Sequence, residues 1–358
     1  MTGSDAVRLP QPYLLFLGDV TDPGFAKTAF GLRDWARDRC VGEMSSSPDA
    51  ITTGLLKLTP VEARAKGARS VVIGVANVGG ELKVNWISSL LGALEAGLDI
   101  VSGMHMRLAD VPELRNAAER LGRRLIDVRT PPAGIPVATG RKRSGMRLLT
   151  VGTDCALGKK YAALAIARAM RQRGLDVHFR ATGQTGIMIV GSGIPMDAVV
   201  SDFAAGAAEI LSPEAAPDHW DVIEGQGSLF HPSYAGVSLA LLHGSQPDVI
   251  VVCHEPGRKH MVGTAGYGLP DIRETIDLNL LLGSRTNAAI RLGGVSLNTS
   301  QLSDDDAKRA LDDEAARLNC PVADPMRGGA AFKREFERLV DNCLAASSLY
   351  EMRSTSSR

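Results

Sequence analysis

The residues best suited to chemistry lie in Gly152-Thr-Asp-Cys-Ala-Leu-Gly-Lys-Lys160, set between an apolar run ending at Val151 and an Ala-rich stretch. Gly152 leaves the strand with no side chain in the way. Gly158 lets the backbone curl so that successive N–H groups point inward at an anion. Lys159 adds a positive charge, and the helix that begins there adds its partial charge. The usual phosphate-loop spacing is G-x4-G-K-[ST], whereas five residues separate Gly152 from Gly158 here. The residue after the loop lysine is ordinarily Ser or Thr, whose hydroxyl holds Mg²⁺. Lys160 takes that place. A second ammonium repels a metal but neutralises phosphate directly. The loop therefore suits a ligand whose phosphates are handles and not reactants. Its binding set is Gly152, Thr153, Cys155, Ala156, Leu157, Gly158, Lys159, Lys160 and Tyr161.

Three further loops follow apolar strand-like runs. Trp220-Asp-Val-Ile-Glu-Gly-Gln-Gly-Ser228 places Glu224 at a strand tip with glycines behind it, the position of a general base or metal ligand. Glu224 is the first catalytic candidate, with Asp154 and His231 behind it. Arg180-Ala-Thr-Gly-Gln-Thr-Gly-Ile-Met188 offers Gln184 and Thr185 for ligand contact, and Gln226 joins them from the Glu224 loop. In His254-Glu-Pro-Gly-Arg-Lys-His260 the two histidines are six apart, unlike the H-E-x-x-H zinc spacing, and Pro256 breaks any helix. No metal is expected there; Arg258 and Lys259 suit an acidic substrate or phosphate. Cys155 has no partner histidine and is a weak nucleophile candidate. Backbone N–H groups near Gly183–Gly186 or Gly225–Gly227 can serve a developing oxyanion. The first half has no G-x-G-x-x-G, but Asn77-Val-Gly-Gly80 and Gly103-Met-His105 sit where a pocket can form.

These loops need a scaffold of alternating strands and helices. Strands are expected at Tyr13–Leu17, Ser70–Ala76, Leu98–Val101 and Arg124–Val128, with helices at Phe25–Arg39, Trp86–Ala96 and Pro112–Leu121. Pro- and Gly-rich residues 131–145, with Arg141-Lys-Arg143, read as a solvated linker. The pattern restarts with a strand at Met146–Val151 and a helix at Tyr161–Gln172, then strands at Val177–Ala181, Trp220–Ile223, Val249–Val252 and Ile290–Leu297. That gives domains at 1–130 and 146–346 and a flexible tail at 347–358. Such alternation builds parallel sheets, so the class is α/β with two domains.

Composition bounds the rest. The 358 residues carry 40 basic and 40 acidic side chains, a net charge of zero that argues against nucleic-acid or membrane-surface binding. Aromatics are 4%, too few for base-stacking platforms. The five cysteines, Cys40, Cys155, Cys253, Cys320 and Cys343, form neither a disulfide framework nor a zinc ribbon. No secretory n-region or membrane-length apolar run is present, and a soluble cytoplasmic enzyme is expected.

The set Gly74-Val-Ala-Asn-Val-Gly-Gly80, Ala96 to His105, Asp127-Val-Arg129-Thr-Pro-Pro132, Gly152 to Lys160, Ala181 to Gly186, Glu224 to Ser228 and His254 to Arg258 resembles a bacterial family long filed as a domain of unknown function. The resemblance spans roughly residues 13–340. It implies a Rossmann-like N-terminal domain and a P-loop C-terminal domain whose loop is like that of dethiobiotin synthetase. It also implies D-glutamate N-acetyltransferase activity with acetyl-CoA as donor. Coenzyme A carries a 3′-phosphate and a pyrophosphate, which suit adjacent lysines without Mg²⁺. On this reading Arg258, Lys259 and Arg129 hold the acceptor's two carboxylates. The acceptor is a small acidic amino acid, and a homo-oligomer is expected. The competing readings are an ATP-dependent ligase or kinase using ATP with Mg²⁺, and a non-catalytic nucleotide-binding module.

Overall fold

The computed structural model describes residues 8–75, 81–264 and 266–356, with side chains described through residue 345. The Asn77–Gly80 turn and the first seven residues lie outside the described residues. The chain forms two compact units. One comprises residues up to Pro132 together with Gly183–Ala198; the other comprises Ala133–Thr182 and the chain from Val199 onward.

In the first unit β1 (Tyr13–Phe16), α1 (Lys27–Trp35), β2 (Cys40–Met44), α2 (Pro60–Ala65), β3 (Ser70–Ile73), α3 (Val84–Glu95), β4 (Asp99–Ser102), α4 (Pro112–Leu121) and β5 (Leu125–Asp127) alternate. The strands pair in the order β2-β1-β3-β4-β5, all parallel. Every residue of β1, β3 and β4 is buried, as expected of parallel strands covered by helices on both faces. Gly97 and Gly122, at φ +81° and +61°, end α3 and α4 where the sequence places them. Trp86 on α3 is fully buried, edge-on to Phe16, and its Nε1 donates to Asp19 at 2.8 Å. β2 and α2 have weaker sequence signals. In β2 the polar Glu43 is buried, accepting from the Thr53 N–H at 2.8 Å and from the Thr52 and Thr53 hydroxyls, so the apolar pattern is broken. α2 is a six-residue helix, fixed by the Thr59–Glu62 capping box.

The second unit runs β6 (Met146–Gly152), α5 (Lys159–Gln172) and β7 (Val177–Arg180). α6 (Gln184–Val190) then belongs to the first unit. The second unit resumes with α7 (Ser201–Leu211), β8 (Trp220–Ile223), α8 (Ala235–Ser245), β9 (Val249–His254), α9 (Ile272–Gly283), β10 (Arg291–Leu297), α10 (Asp304–Leu318), β11 (Val322–Ala323) and α11 (Ala330–Ser356). The order is β11-β10-β9-β6-β8-β7, again all parallel. β6 lies between β8 and β9, so later strands are added on both sides of it. A crevice opens at the carboxyl end of the strand at such a switch point. The phosphate loop leaves β6 there.

The basic triplet before β6 is only partly solvated: Arg141 and Lys142 are exposed, but Arg143 is not. Arg143 is 9% exposed. Its guanidinium donates to the Ser212 and Gly244 carbonyls at 2.9 and 2.8 Å and to Gln246 Oε1 at 3.2 Å. Lys142 pairs with Asp248 at 3.1 Å. These cations tie the entering chain to the ends of α7 and α8. The tail expected from Ser347 continues α11 as far as Ser356.

Candidate active site

The loop from Gly152 to Gly158 joins the buried strand β6 to α5. A side chain at Gly152 would lie 3.0 Å from the Cys253 carbonyl, and Gly158 adopts φ +100°, open only to glycine at low cost. No side chain caps α5, so its first N–H groups face the loop. Lys159 is 6% exposed and points back into the loop, its Nζ 2.6 Å from the Asp154 carbonyl. Burial pushes its pKa below the ordinary lysine value. Ala156 is held at φ +54°. Leu157 is buried beside Ala162 and Cys253, anchoring the loop's far side. Thr153 Oγ1 lies 2.9 Å from His254 Nδ1 at the tip of β9. The Lys160 ammonium lies 4.7 Å from the Tyr161 ring centroid.

Asp154 is fully buried. Its Oδ2 accepts from Arg258 Nη1 at 3.0 Å and from the Val262 N–H at 2.9 Å. Arg258 also donates to the Cys155 carbonyl at 2.8 Å and pairs with Glu255. The arginine assigned to an acidic substrate is therefore bound to the loop's own backbone and carboxylate. Asp154 Oδ1 has no hydrogen-bond partner among the described residues, and His231 Nε2 lies 3.9 Å from it. His231 is buried and its Nδ1 accepts from the Ser233 N–H at 3.1 Å. The neutral ring therefore carries its proton on Nε2, which faces the Val262 carbonyl at 3.2 Å. In that tautomer His231 has no lone pair free to take a substrate proton. The Cys155 thiol is pushed up by burial, which disfavours the thiolate a nucleophile needs.

Glu224 immediately follows the last residue of β8, the strand beside β6. It is 4% exposed, and its Oε2 accepts from the Thr182 N–H at 3.0 Å. The Thr182 hydroxyl donates to the Glu224 carbonyl at 2.6 Å and accepts from Gln226 Nε2 at 3.0 Å. Gly225 is pressed against β6: a Cβ there would fall 1.6 Å from the Thr150 carbonyl and 3.2 Å from Lys159 Cδ. This puts the Glu224 loop directly against the loop lysine. The Gly225 N–H is already committed to Thr150 Oγ1 at 3.0 Å, which removes it as an oxyanion donor. Thr150 and Thr182, which fix this geometry, carry no sequence signal beyond their place near strand ends.

The other assigned residues are split between the units. Gln226, Arg258 and the exposed Lys259 lie in the second unit; Arg129, Gln184 and Thr185 lie in the first. Arg129 donates from Nε to the Gly103 carbonyl at 2.8 Å and pairs with Asp197. The Gln184 amide sits against the Gly103 carbonyl and the Arg129 guanidinium. Thr185 and Thr28 meet hydroxyl to hydroxyl at 3.0 Å. Beyond the tips of β4 and β5 a cleft of about 260 Å³ is lined by His105, Arg107, Asp127, Arg129, Thr130 and Asp197. The Gly103–His105 stretch was expected near such a cleft. Burial raises the Asp127 carboxyl above its usual range.

Together these features define a two-unit α/β enzyme with a Rossmann-like sheet and a P-loop sheet, the loop's metal-binding hydroxyl replaced by Lys160. The chain belongs to the DUF1611 family. Residues 136–332 match its P-loop domain and residues 39–131 its Rossmann-like domain, both described as domains of unknown function. A D-glutamate N-acetyltransferase of Tritonibacter scottomollicae is 49% identical over 330 residues, 92% of this chain and 97% of that protein. One from a Pseudoalteromonas species is 45% identical over 323 residues, 90% and 97% of the two chains. The crystal structure of a DUF1611 family protein from Anabaena variabilis superposes with a TM-score of 0.80 at 32% identity, covering 94% of this chain and 99% of that one. The chain is an acyltransferase of the N-acetylating kind. No helix among the described residues is long and apolar enough to cross a membrane.

Proposed function

We propose that this enzyme moves the acetyl group of acetyl-CoA to the amine of D-glutamate or a closely similar acidic D-amino acid. The observation that carries the proposal is the agreement of two relatives of that name, each matched over at least 90% of this chain. The loop supports it independently. Lys159 and the uncapped first N–H groups of α5 both border the loop and can serve one anion together. Lys160 stands where an ATP-hydrolysing loop keeps its Mg²⁺ ligand, so the residues present do not fit a Mg²⁺–nucleotide. They fit the phosphates of a coenzyme that bind and do not react.

Acetyl-CoA, when bound, supplies an activated thioester carbonyl. The acceptor arrives as an ammonium and attacks only as the free amine, so the enzyme must remove a proton. Glu224 is the proposed base: a buried carboxylate on the strand beside the loop, oriented by the Thr182 N–H. Asp154, tied to Arg258 and Val262, acts as a loop-positioning residue in this scheme, and His231 holds the adjoining turn.

The test supplies acetyl-CoA and candidate acceptors to purified protein and follows release of the CoA thiol, with the product identified by mass. Turnover with D-glutamate and little with L-glutamate is expected. Absence of thiol release with every acidic D-amino acid, or Mg²⁺-dependent ATP consumption, would overturn the proposal. The place of Lys160 adds a separate expectation. Activity survives EDTA, and Lys160→Thr weakens acetyl-CoA binding measured without metal. A wild-type enzyme that is inactive in EDTA and rescued by Mg²⁺ contradicts this account of the loop.

A further inference from the structure

A second cluster of ligating side chains lies in the P-loop sheet, at the amino ends of β7 and β8, the end remote from the phosphate loop. β7 is an edge strand, and His178 on it is in register with Asp221 on β8. Side chains two apart share a face of a strand. The segment Asp176-Val-His-Phe-Arg180 therefore presents Asp176, His178 and Arg180 together, and His219-Trp-Asp221 presents His219 and Asp221 beside them. The intervening Val177, Phe179, Trp220 and Val222 are all buried. Strand periodicity alone gathers two histidines and two aspartates on one surface.

The contacts within the cluster are specific. His178 Nδ1 lies 3.3 Å from His219 Nε2, and the ring centroids are 4.9 Å apart. His219 is 5% exposed, and its Nδ1 lies 2.7 Å from Asp176 Oδ2. Asp221 Oδ1 is 3.2 Å from His219 Nε2, and Arg180 Nε pairs with that same oxygen at 2.6 Å. One ligand atom from each of Asp176, His178 and His219 lies within 4.8 Å of the other two.

We propose that His178 and His219 bind a first-row divalent transition metal of the zinc type, with Asp176 orienting His219 and water completing the shell. Zinc–nitrogen bonds of about 2.0–2.1 Å at a tetrahedral angle put two ligand nitrogens roughly 3.3–3.4 Å apart. The two imidazole nitrogens already stand at that separation; ligation requires His219 Nε2 to give up its proton and its 3.2 Å contact with Asp221 Oδ1, which keeps Arg180 as its partner. A carboxylate on the far nitrogen of a ligating histidine sets its tautomer and raises its basicity, and Asp176 on His219 Nδ1 is that arrangement. Imidazole nitrogen ligands select zinc, copper or nickel over calcium or magnesium. Arg180 and Asp221 offset each other's charge at the cluster's rim. The bound metal would brace the edge strand against β8, away from the acetyl-transfer machinery.

The experiment uses tag-free protein stripped with EDTA and titrated with Zn²⁺, then with Co²⁺ for its spectrum. Zn²⁺ is expected to raise Tm by mass action. His178 is exposed, so His178→Ala leaves the fold intact and should lower Zn²⁺ affinity by at least about tenfold. Asp176→Asn should lower it by about 10–100-fold, the usual effect of removing an outer-shell partner. The Co²⁺ protein should show ligand-field bands without thiolate charge transfer. Zn²⁺ affinity unchanged by His178→Ala overturns the proposal, as does absence of saturable binding. A thiolate band also overturns it, because it places the metal at Asp154, Cys155 and His231 of the phosphate loop, whose ligand atoms likewise lie within 4.8 Å of one another.

Discussion

Glu224→Gln is expected to lower kcat by about 10²–10⁴-fold while leaving acetyl-CoA affinity nearly unchanged. The amide keeps the shape of the carboxylate and still accepts from the Thr182 N–H, so the β8 tip stays in place. Only the basicity is lost. With the wild type, the rate should rise with pH, because both the enzyme base and the bound ammonium must give up protons before attack. In the variant that rise should follow the amine alone. The decisive measurement is kcat against pH for both proteins, with acetyl-CoA binding measured in parallel. A variant within a few-fold of wild type transfers the role to Asp154, whose buried Oδ1 lacks a hydrogen-bond partner among the described residues. His231 is poorly placed to inherit it, since the Ser233 N–H occupies the nitrogen that would accept the proton. Loss of acetyl-CoA binding would instead assign Glu224 to the cofactor site.

Most strands were legible as short apolar runs, such as Leu14–Phe16, Val71–Ile73 and Val249–Val252, because a buried parallel strand needs little else; the two-residue β11 was too short to show. β2 was not legible, because its buried Glu43 is satisfied by Thr52 and Thr53, partners brought in by a later loop. The phosphate loop was legible as a spacing, since backbone N–H groups can converge on an anion only where glycines allow the turn. Its support was hidden. That Arg258 would grip the Asp154 carboxylate and the Cys155 carbonyl depends on the loop after β9 folding back over the loop after β6, about 100 residues earlier. A sequence shows an arginine in a glycine-containing turn; it does not show whether the charge faces a substrate or the protein's own carbonyls. Arg143 gives the same lesson. Its basic neighbours read as solvated, yet its guanidinium is buried against carbonyls at the ends of two helices. The His178–His219 pair was equally hidden, because strand register joined residues 41 apart.

Lys159→Ala should weaken acetyl-CoA binding by about tenfold to over a hundredfold, the loss of one charge-assisted phosphate contact of roughly 1.5–3 kcal/mol. The fold should survive. Burial lowers the lysine's pKa in the folded protein below its unfolded value, so the unfolded chain binds the proton more tightly. The buried ammonium therefore costs stability at neutral pH. That cost disappears only as pH rises through the window between the lowered folded value and the ordinary lysine value of about 10.4. Removing the side chain relieves that cost but also deletes the 2.6 Å contact to the Asp154 carbonyl and the packing of the stem against Gly225, so Tm should change little. The same lowered pKa shapes binding. As pH climbs past it the free loop loses its central charge, and wild-type affinity for the phosphorylated coenzyme should fall at a lower pH than an ordinary lysine would dictate. The variant should lack this early component of the fall, because the buried lysine that titrates there is gone. Calorimetric titration of both proteins with acetyl-CoA across the alkaline range separates the outcomes. Equal affinity in the two proteins at neutral pH would mean that the phosphates lie elsewhere and that Lys159 serves only to close the loop onto the Asp154 carbonyl.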